Sequence, residues 1–230
     1  MKVALISGGS RGIGLAMAQA FAVAGYSVII TGRDQARLKQ AVAEVKGSIE
    51  GLICDVADPS SVQRLFYEIV QHHNSIDVLV NNAGVAHELL GTEKLPLEVW
   101  KQVIDTNLTG TFLVTQAALP LMKAGSTIVN NLSVAALQPF AGMSAYNASK
   151  FGALGFTKAL REEVRKQGIR VLALIPGATN TEIWQQFWPD APRAKMISPA
   201  TVAQAVVHAV SAPPEATIEE IHIGPTAGVL

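Results

Sequence analysis

The stretch SGGSRGIG, residues 7–14, decides how the rest of the chain folds. It follows a short β-branched run, VALIS (3–7), and opens a helical pattern over 12–24. Gly8, Gly12 and Gly14 permit a tight turn, close approach of backbone to a phosphate, and close helix–strand contact. The helix that follows offers free N–H groups and the positive end of its dipole to an anion. Ser10, Arg11 and Ile13 share the turn and belong to the same candidate cradle. A glycine-rich turn alone is a weak signal. A strand before it, a helix after it and first place in an alternating chain make it a strong one.

Outward from that turn the alternation continues almost to the end. SVIIT (27–31), SIEGLIC (48–54), DVLVN (77–81), STIVNNL (126–132), RVLALI (170–175) and TIEEIHI (217–223) read as six further strands. Most are nearly continuous apolar runs, as strands of a parallel sheet covered on both faces are. Helical patterns occupy 12–24, 34–46, 59–73, 97–123, 145–167 and 199–210. Asp58-Pro59 suits a helix start, and Gly25 and Gly168 suit helix ends. Strands alternating with helices imply right-handed crossovers and an α/β fold: a doubly wound, Rossmann-type three-layer sandwich with a seven-stranded parallel sheet. With no repeat and no long Pro/Gly/Ser linker, residues 1–230 are expected to form a single domain. The irregular stretch 178–198 is expected to be a functional substrate loop or lid, because loops of that length in compact domains usually are.

The 230 residues are 49% hydrophobic, with 18 basic and 18 acidic side chains. That balance gives no field that would select nucleic acid or an anionic membrane. The single cysteine, Cys54, excludes an internal disulfide and agrees with a reducing compartment. The most apolar stretch, residues 15–30, is too short for a span and is interrupted by Gly25. A soluble, cytoplasmic protein is expected. The five histidines form no cluster with ligand spacing, so no metal is expected.

A second stretch carries chemistry. YNASK, residues 146–150, sets a phenol four positions before an ammonium. On a helix the two share a face, and an ammonium held there would stabilise phenolate and lower the Tyr146 pKa.

The glycine spacing is G-x-x-x-G-x-G, and it resembles that of the short-chain dehydrogenase/reductase family in its compact single-domain form. NNAG at 81–84, Asn107 in VIDTNLTGTF, Ser133, the Tyr146/Lys150 pair and Pro176-Gly177 followed by Thr181 resemble the family's further motifs, in its order and over residues 2–224. The resemblance implies a nicotinamide cofactor and a homodimer or homotetramer, with the long helices 97–123 and 145–167 as the expected contact. It also implies that Tyr146 is general acid and base, that Lys150 shifts its pKa and binds the nicotinamide ribose, and that Ser133 orients the substrate oxygen. Asn107 would hold a water linking Lys150 to solvent. Asn82, Ala83 and Gly84 would touch the cofactor, Asp55 and Val56 the adenine, and Thr179 (through its backbone) and Thr181 the carboxamide.

At the end of the second strand a carboxylate would bind a ribose 2′-hydroxyl, but Gly32 leaves the place empty and Arg33 follows. Arg33 with Arg11 would suit a 2′-phosphate, which favours NADP(H). Asp34 keeps NAD(H) as the alternative, and either arginine could instead be solvated or paired with a carboxylate. Leu137, Phe140 and Met143, with Trp184, Phe187 and Trp188 in the loop, form candidate pocket walls for an apolar or aromatic small-molecule carbonyl or alcohol. Three readings therefore compete: an NADP(H)-dependent carbonyl reductase, an NAD-dependent alcohol or hydroxy-acid dehydrogenase, and a non-catalytic dinucleotide sensor.

Overall fold

The computed structural model describes every residue except Pro214, Val229 and Leu230. Seven strands, β1 (Val3–Ser7), β2 (Ser27–Gly32), β3 (Ile49–Ile53), β4 (Val78–Asn81), β5 (Thr127–Asn131), β6 (Arg170–Pro176) and β7 (Glu220–Ile223), form one sheet in the order 3-2-1-4-5-6-7. Every pairing is parallel. The seven-stranded, doubly wound α/β sheet expected from the alternation is therefore present. The order reverses between β1 and β4, and an open parallel sheet has its ligand crevice beyond the carboxyl ends of the strands at such a point.

Helices α1 (Gly12–Val23), α2 (Gln35–Glu44), α3 (Pro59–His72), α4 (Leu97–Ile104), α5 (Gly110–Ala118), α6 (Ser144–Val164) and α7 (Pro199–Val210) cover both faces. Side chains alternate across the strands into two cores. Ile6, Ile30, Val80, Val129 and Leu174 face Met17 and Phe21 of α1, Leu38 of α2 and Val206 of α7. Leu5, Ile29, Leu79, Ile128 and Val171 face Leu65 and Ile69 of α3, Val114 of α5 and Leu160 of α6. This two-sided burial is why the central strands β1, β2, β4 and β6 are nearly continuous apolar runs rather than apolar at every second position.

Helix boundaries follow local chemistry. Asp34, Asp58 and Ser198 each cap a helix by accepting backbone N–H bonds, and Gly168 follows α6 and its closing 3₁₀ turn in the left-handed region at φ 71°. Two expected elements differ from the sequence pattern. The helix expected over 97–123 is broken by a π turn at Asp105–Thr109 and tightens to 3₁₀ at Leu119–Leu121, where Pro120 cannot donate to the helix ladder. The last strand begins at Glu220 rather than Thr217. Just before it the buried Arg161 guanidinium donates to the Glu219 carbonyl at 2.7 Å and to its carboxylate at 3.2 Å, holding that residue against α6.

Candidate active site

A cleft of about 940 Å³ runs along the carboxyl ends of the strands. Its floor is fixed by hydrogen bonds made before any ligand is considered. The Ser7 hydroxyl accepts from Asn82 N at 3.0 Å and Ala83 N at 3.1 Å. Asn82 Nδ2 donates to the carbonyls of Ser7 and Gly8, both at 3.0 Å, and Asn82 Oδ1 accepts from Asn131 Nδ2 at 2.8 Å. One asparagine thus ties the glycine turn after β1 to the ends of β4 and β5.

Gly8 and Gly12 have φ of 63° and 55°, which explains why glycine stands at both. Gly14 is needed for a different reason: a Cβ there would lie 2.3 Å from Gly8 O and 2.4 Å from Asn82 Nδ2. Gly14 was expected to touch a cofactor. It lies behind the turn instead, in the packing that holds the turn's shape. Arg11, at the N-cap of α1, makes no side-chain cap, and no acidic residue occupies the first turn. The first N–H groups of α1 are left for an anion.

At the inner end of the cleft, α6 presents Tyr146 and Lys150 beside Ser133 at the end of β5. The π turn aims Asn107 at the loop beyond NNAG. Its Oδ1 accepts from Val85 N at 2.8 Å, and its Nδ2 donates to Val85 O at 2.9 Å and to Ser149 Oγ at 3.0 Å. The Asn107 side chain thus positions that loop and joins it to α6 through Ser149.

The electrostatics also depart from expectation. Burial pushes the Tyr146 phenol up from 10.0, and only the Ser133 hydroxyl beside it pulls the other way. Burial lowers the Lys150 ammonium to about 8. Lys150 Nζ donates to Asn131 O at 3.0 Å and stands 5.7 Å from the centre of the Tyr146 ring. The i, i+4 spacing brings the pair together, yet the ammonium is directed at a backbone carbonyl rather than at the phenol oxygen. That corrects the lowered Tyr146 pKa expected from the sequence.

The remaining candidates gather in the same cleft. Ser10, Arg11, Gly12, Ile13, Arg33, Asp55 and Val56 line its outer half, and Ala83, Gly84, Pro176, Gly177, Thr179 and Thr181 its middle. Asp55 does not cap α3; that is Asp58, and the Asp55 carboxylate accepts from Ala57 N at 3.0 Å. Phe140 and Met143 line the inner half with Trp184, Phe187 and Trp188, whereas Leu137 is 47% exposed and lies off the cleft.

The aromatics sit on a strap, residues 178–198, that crosses the cleft with a 3₁₀ turn at Glu182–Gln186. Trp184 packs on Phe187 at 4.9 Å and on Trp188 at 6.0 Å between ring centres. Trp184 Nε1 donates to Thr179 O at 2.8 Å, and Arg193 Nη1 donates to Thr181 O.

Arg37, Glu182 and Gln186 also line the cleft and were missed from the sequence. Arg37 is signalled only by its place three residues after the capping Asp34, and Glu182 only by following Thr181. Gln186 accepts from Ala86 N at 3.0 Å across the cleft, and nothing in its sequence context marks it. Beneath the site, Asn81 Nδ2 donates to Asn130 Oδ1 at 2.8 Å, and Asn130 Nδ2 to Thr157 Oγ1 at 2.9 Å. This buried run of amides stitches β4, β5 and α6 together. Among the described residues no helix is long and apolar enough to cross a membrane.

Residues 2–192 match the family model described as short chain dehydrogenase. The chain is 36% identical over 201 residues to dehydrogenase/reductase SDR family member 4 of Bos taurus, covering 85% of this chain and 72% of that protein. Its fold superposes with TM-score 0.90 on an alcohol dehydrogenase of Thermococcus sibiricus complexed with 5-hydroxy-NADP, at 26% identity over 99% of this chain and 98% of that one. It superposes with TM-score 0.89 on a 3-ketoacyl-(acyl-carrier-protein) reductase of Brucella melitensis complexed with NADH, at 29% identity over 96% of both chains.

Proposed function

The chain belongs to the short-chain dehydrogenase family, and from that premise we propose that it is an NADP(H)-dependent oxidoreductase interconverting an apolar or aromatic carbonyl compound and its alcohol. The observation that carries this reading is one continuous cleft. It holds a backbone cradle for a dinucleotide at one end and Ser133, Tyr146 and Lys150 at the other, under an aromatic strap.

The residues fit the cofactor. Positive-φ glycines and the uncapped α1 N-terminus suit a pyrophosphate. Thr179 and Thr181 would hold the carboxamide, Lys150 the ribose, and Asp55 with Val56 the adenine. The nicotinamide, when bound, supplies or accepts the hydride. In reduction, the Ser133 hydroxyl donates a hydrogen bond to the substrate oxygen and stabilises the charge that develops there. Tyr146 transfers its phenolic proton to that oxygen as the carbon is reduced, giving the alcohol. A phenol kept neutral by burial is suited to donate. The Lys150 ammonium, near 8, then stabilises the phenolate left behind and holds a proton close to it. The strap excludes water while this occurs.

Arg11, Arg33 and Arg37 around the outer cleft, with no side chain at Gly32, support NADP(H) over NAD(H). The capping Asp34 favours the NAD(H) alternative only weakly, because its carboxylate already accepts from Ala36 N and Arg37 N. Phe112, Phe151 and Trp100, exposed on α4 to α6, support assembly through these helices into a homodimer or homotetramer.

Steady-state reduction of apolar ketones with NADPH and with NADH tests the reading. NADPH should be preferred, and Arg33→Ala should weaken NADPH about tenfold while sparing NADH. Equal use of the two nucleotides by wild type would return the NAD(H) alternative, and no turnover with bound nucleotide would favour the sensor.

A further inference from the structure

Glu182 opens the first 3₁₀ turn of the strap, one residue beyond Thr181. Its Oε2 lies 2.9 Å from Arg11 Nη1 and 3.5 Å from Arg37 Nη1. A single carboxylate oxygen therefore stands between a guanidinium of the glycine turn and one of α2, at the place where two such forks would receive a phosphate oxygen. Nearby, Arg37 Nε is 3.4 Å from Asp34 Oδ2, and Arg33 Nη1 is 3.9 Å from Asp55 Oδ2. Three guanidiniums thus meet three carboxylates, and their charges cancel. The outer cleft is less attractive to a phosphate than its arginines alone suggest, and the group that makes it so is carried by the strap.

We propose that Glu182 is a cofactor-discriminating latch. Its carboxylate holds Arg11 and Arg37 when the strap is closed, and the 2′-phosphate of NADP(H) must displace it to seat, whereas the 2′-hydroxyl of NAD(H) need not. The proposal rests on the dinucleotide reading of the cleft. A phosphate monoester carries more charge than a carboxylate and presents three acceptor oxygens, so it wins the guanidiniums from a half-exposed partner. NADH makes no such demand and seats with the latch in place.

The exchange is felt further along the strap. Thr181 precedes Glu182 directly, and its Cγ2 lies 3.3 Å from where a Cβ on Gly12 would stand. The strap therefore rests on the glycine turn at the residue expected to hold the carboxamide. Releasing Glu182 loosens the strap at that point, which couples the 2′-phosphate end of the cofactor to the nicotinamide end. Cofactor choice in this chain is then set by the strap as well as by the residues after β2.

Glu182→Gln keeps the size and hydrogen bonding of the side chain and removes its charge. Wild type and variant are titrated with NADPH and with NADH, following nucleotide fluorescence. The NADPH dissociation constant should fall about three- to tenfold in the variant, with NADH changing less than about twofold. Arg37→Ala should then weaken NADPH more in the Glu182→Gln background than in wild type, because the latch no longer masks that guanidinium. Unchanged NADPH affinity in Glu182→Gln, with wild type binding both nucleotides, overturns the latch and leaves the dinucleotide reading standing. Weaker NADH binding with unchanged NADPH also overturns it and makes Glu182 a ribose acceptor. A wild type that binds neither nucleotide overturns the reading beneath, and the latch with it.

Discussion

The two halves of the cleft are built in opposite ways. The nucleotide half is backbone held by two fixed side chains: the Ser7 hydroxyl and the Asn82 amide bond the turn at 3.0 to 3.1 Å, and the cradle is finished before a ligand arrives. The substrate half is closed by side chains on a strap of 3₁₀ turns, clasped to the rest of the fold by Gln186 and Glu182 and braced internally by Arg193. The first is suited to one constant ligand. The second is loop, and its aromatic wall can be rebuilt without disturbing the sheet. The proposed chemistry sits where α6 brings Tyr146 and Lys150 beside Ser133, at the seam of cofactor and substrate.

The seam should give the largest effect. Tyr146→Phe removes the proton donor and leaves the cradle intact. Turnover should drop by about 10²- to 10⁴-fold, the usual contribution of a general acid, while NADPH affinity stays within about threefold of wild type. In the wild type, reduction should also decline as pH rises through about 8, where Lys150 loses its proton. A Tyr146→Phe enzyme that still turns over at more than a tenth of the wild-type rate would move the proton donor elsewhere.

Rigidity of the nucleotide half is tested by one methyl group. Gly14→Ala would set a Cβ 2.3 Å from Gly8 O, against backbone that cannot yield without deforming the turn. Overpacking of this kind costs about 1–3 kcal/mol, or roughly 3–10 °C in Tm for a chain of this size. Gly155→Ala in α6, with nothing within 4 Å of the new Cβ, is the contrast. There the better helix propensity should leave Tm unchanged or slightly raised. Equal behaviour of the two variants would mean that the turn is far more compliant than its hydrogen bonds imply.

The same division explains what could be read from the sequence. A backbone cradle needs glycine at positive φ and at close approach, and a parallel strand buried on both faces needs an unbroken apolar run. Gly8, Gly12, Gly14 and the seven strands were therefore legible. Spacing on α6 revealed that Tyr146 and Lys150 share a face. It could not reveal that Lys150 reaches for Asn131 O, because that depends on where β5 ends in space. The π turn was hidden for a related reason: Asn107 bonds Val85, 22 residues away, and no local pattern encodes that partner. Leu137 was misplaced on the pocket wall because hydrophobicity says that a side chain is apolar and not which way its loop turns. Glu182 and Arg37 are ordinary charges on ordinary surfaces until the strap folds across α2.

The smallest effect belongs to the clasp at the substrate end. Gln186 Oε1 accepts from Ala86 N, joining the strap to the loop that Asn107 positions. Loss of one such bond is worth about 0.5–1.5 kcal/mol, so Gln186→Ala should raise KM for an apolar ketone about two- to tenfold. The rate at saturation and the NADPH affinity should hold, because neither the proton donor nor the cradle is touched. Gln186→Glu separates two ways in which the residue could act. A carboxylate still accepts from Ala86 N, so a clasp predicts a KM near wild type. If the free amide N–H₂ of Gln186 instead donates to the substrate, the glutamate variant should be as impaired as alanine, and the pocket would then recognise an acceptor beyond the reacting carbonyl. A fall in kcat of the same size as the rise in KM would place the clasp in the transition state and erase the contrast between an adaptable substrate half and a fixed nucleotide half.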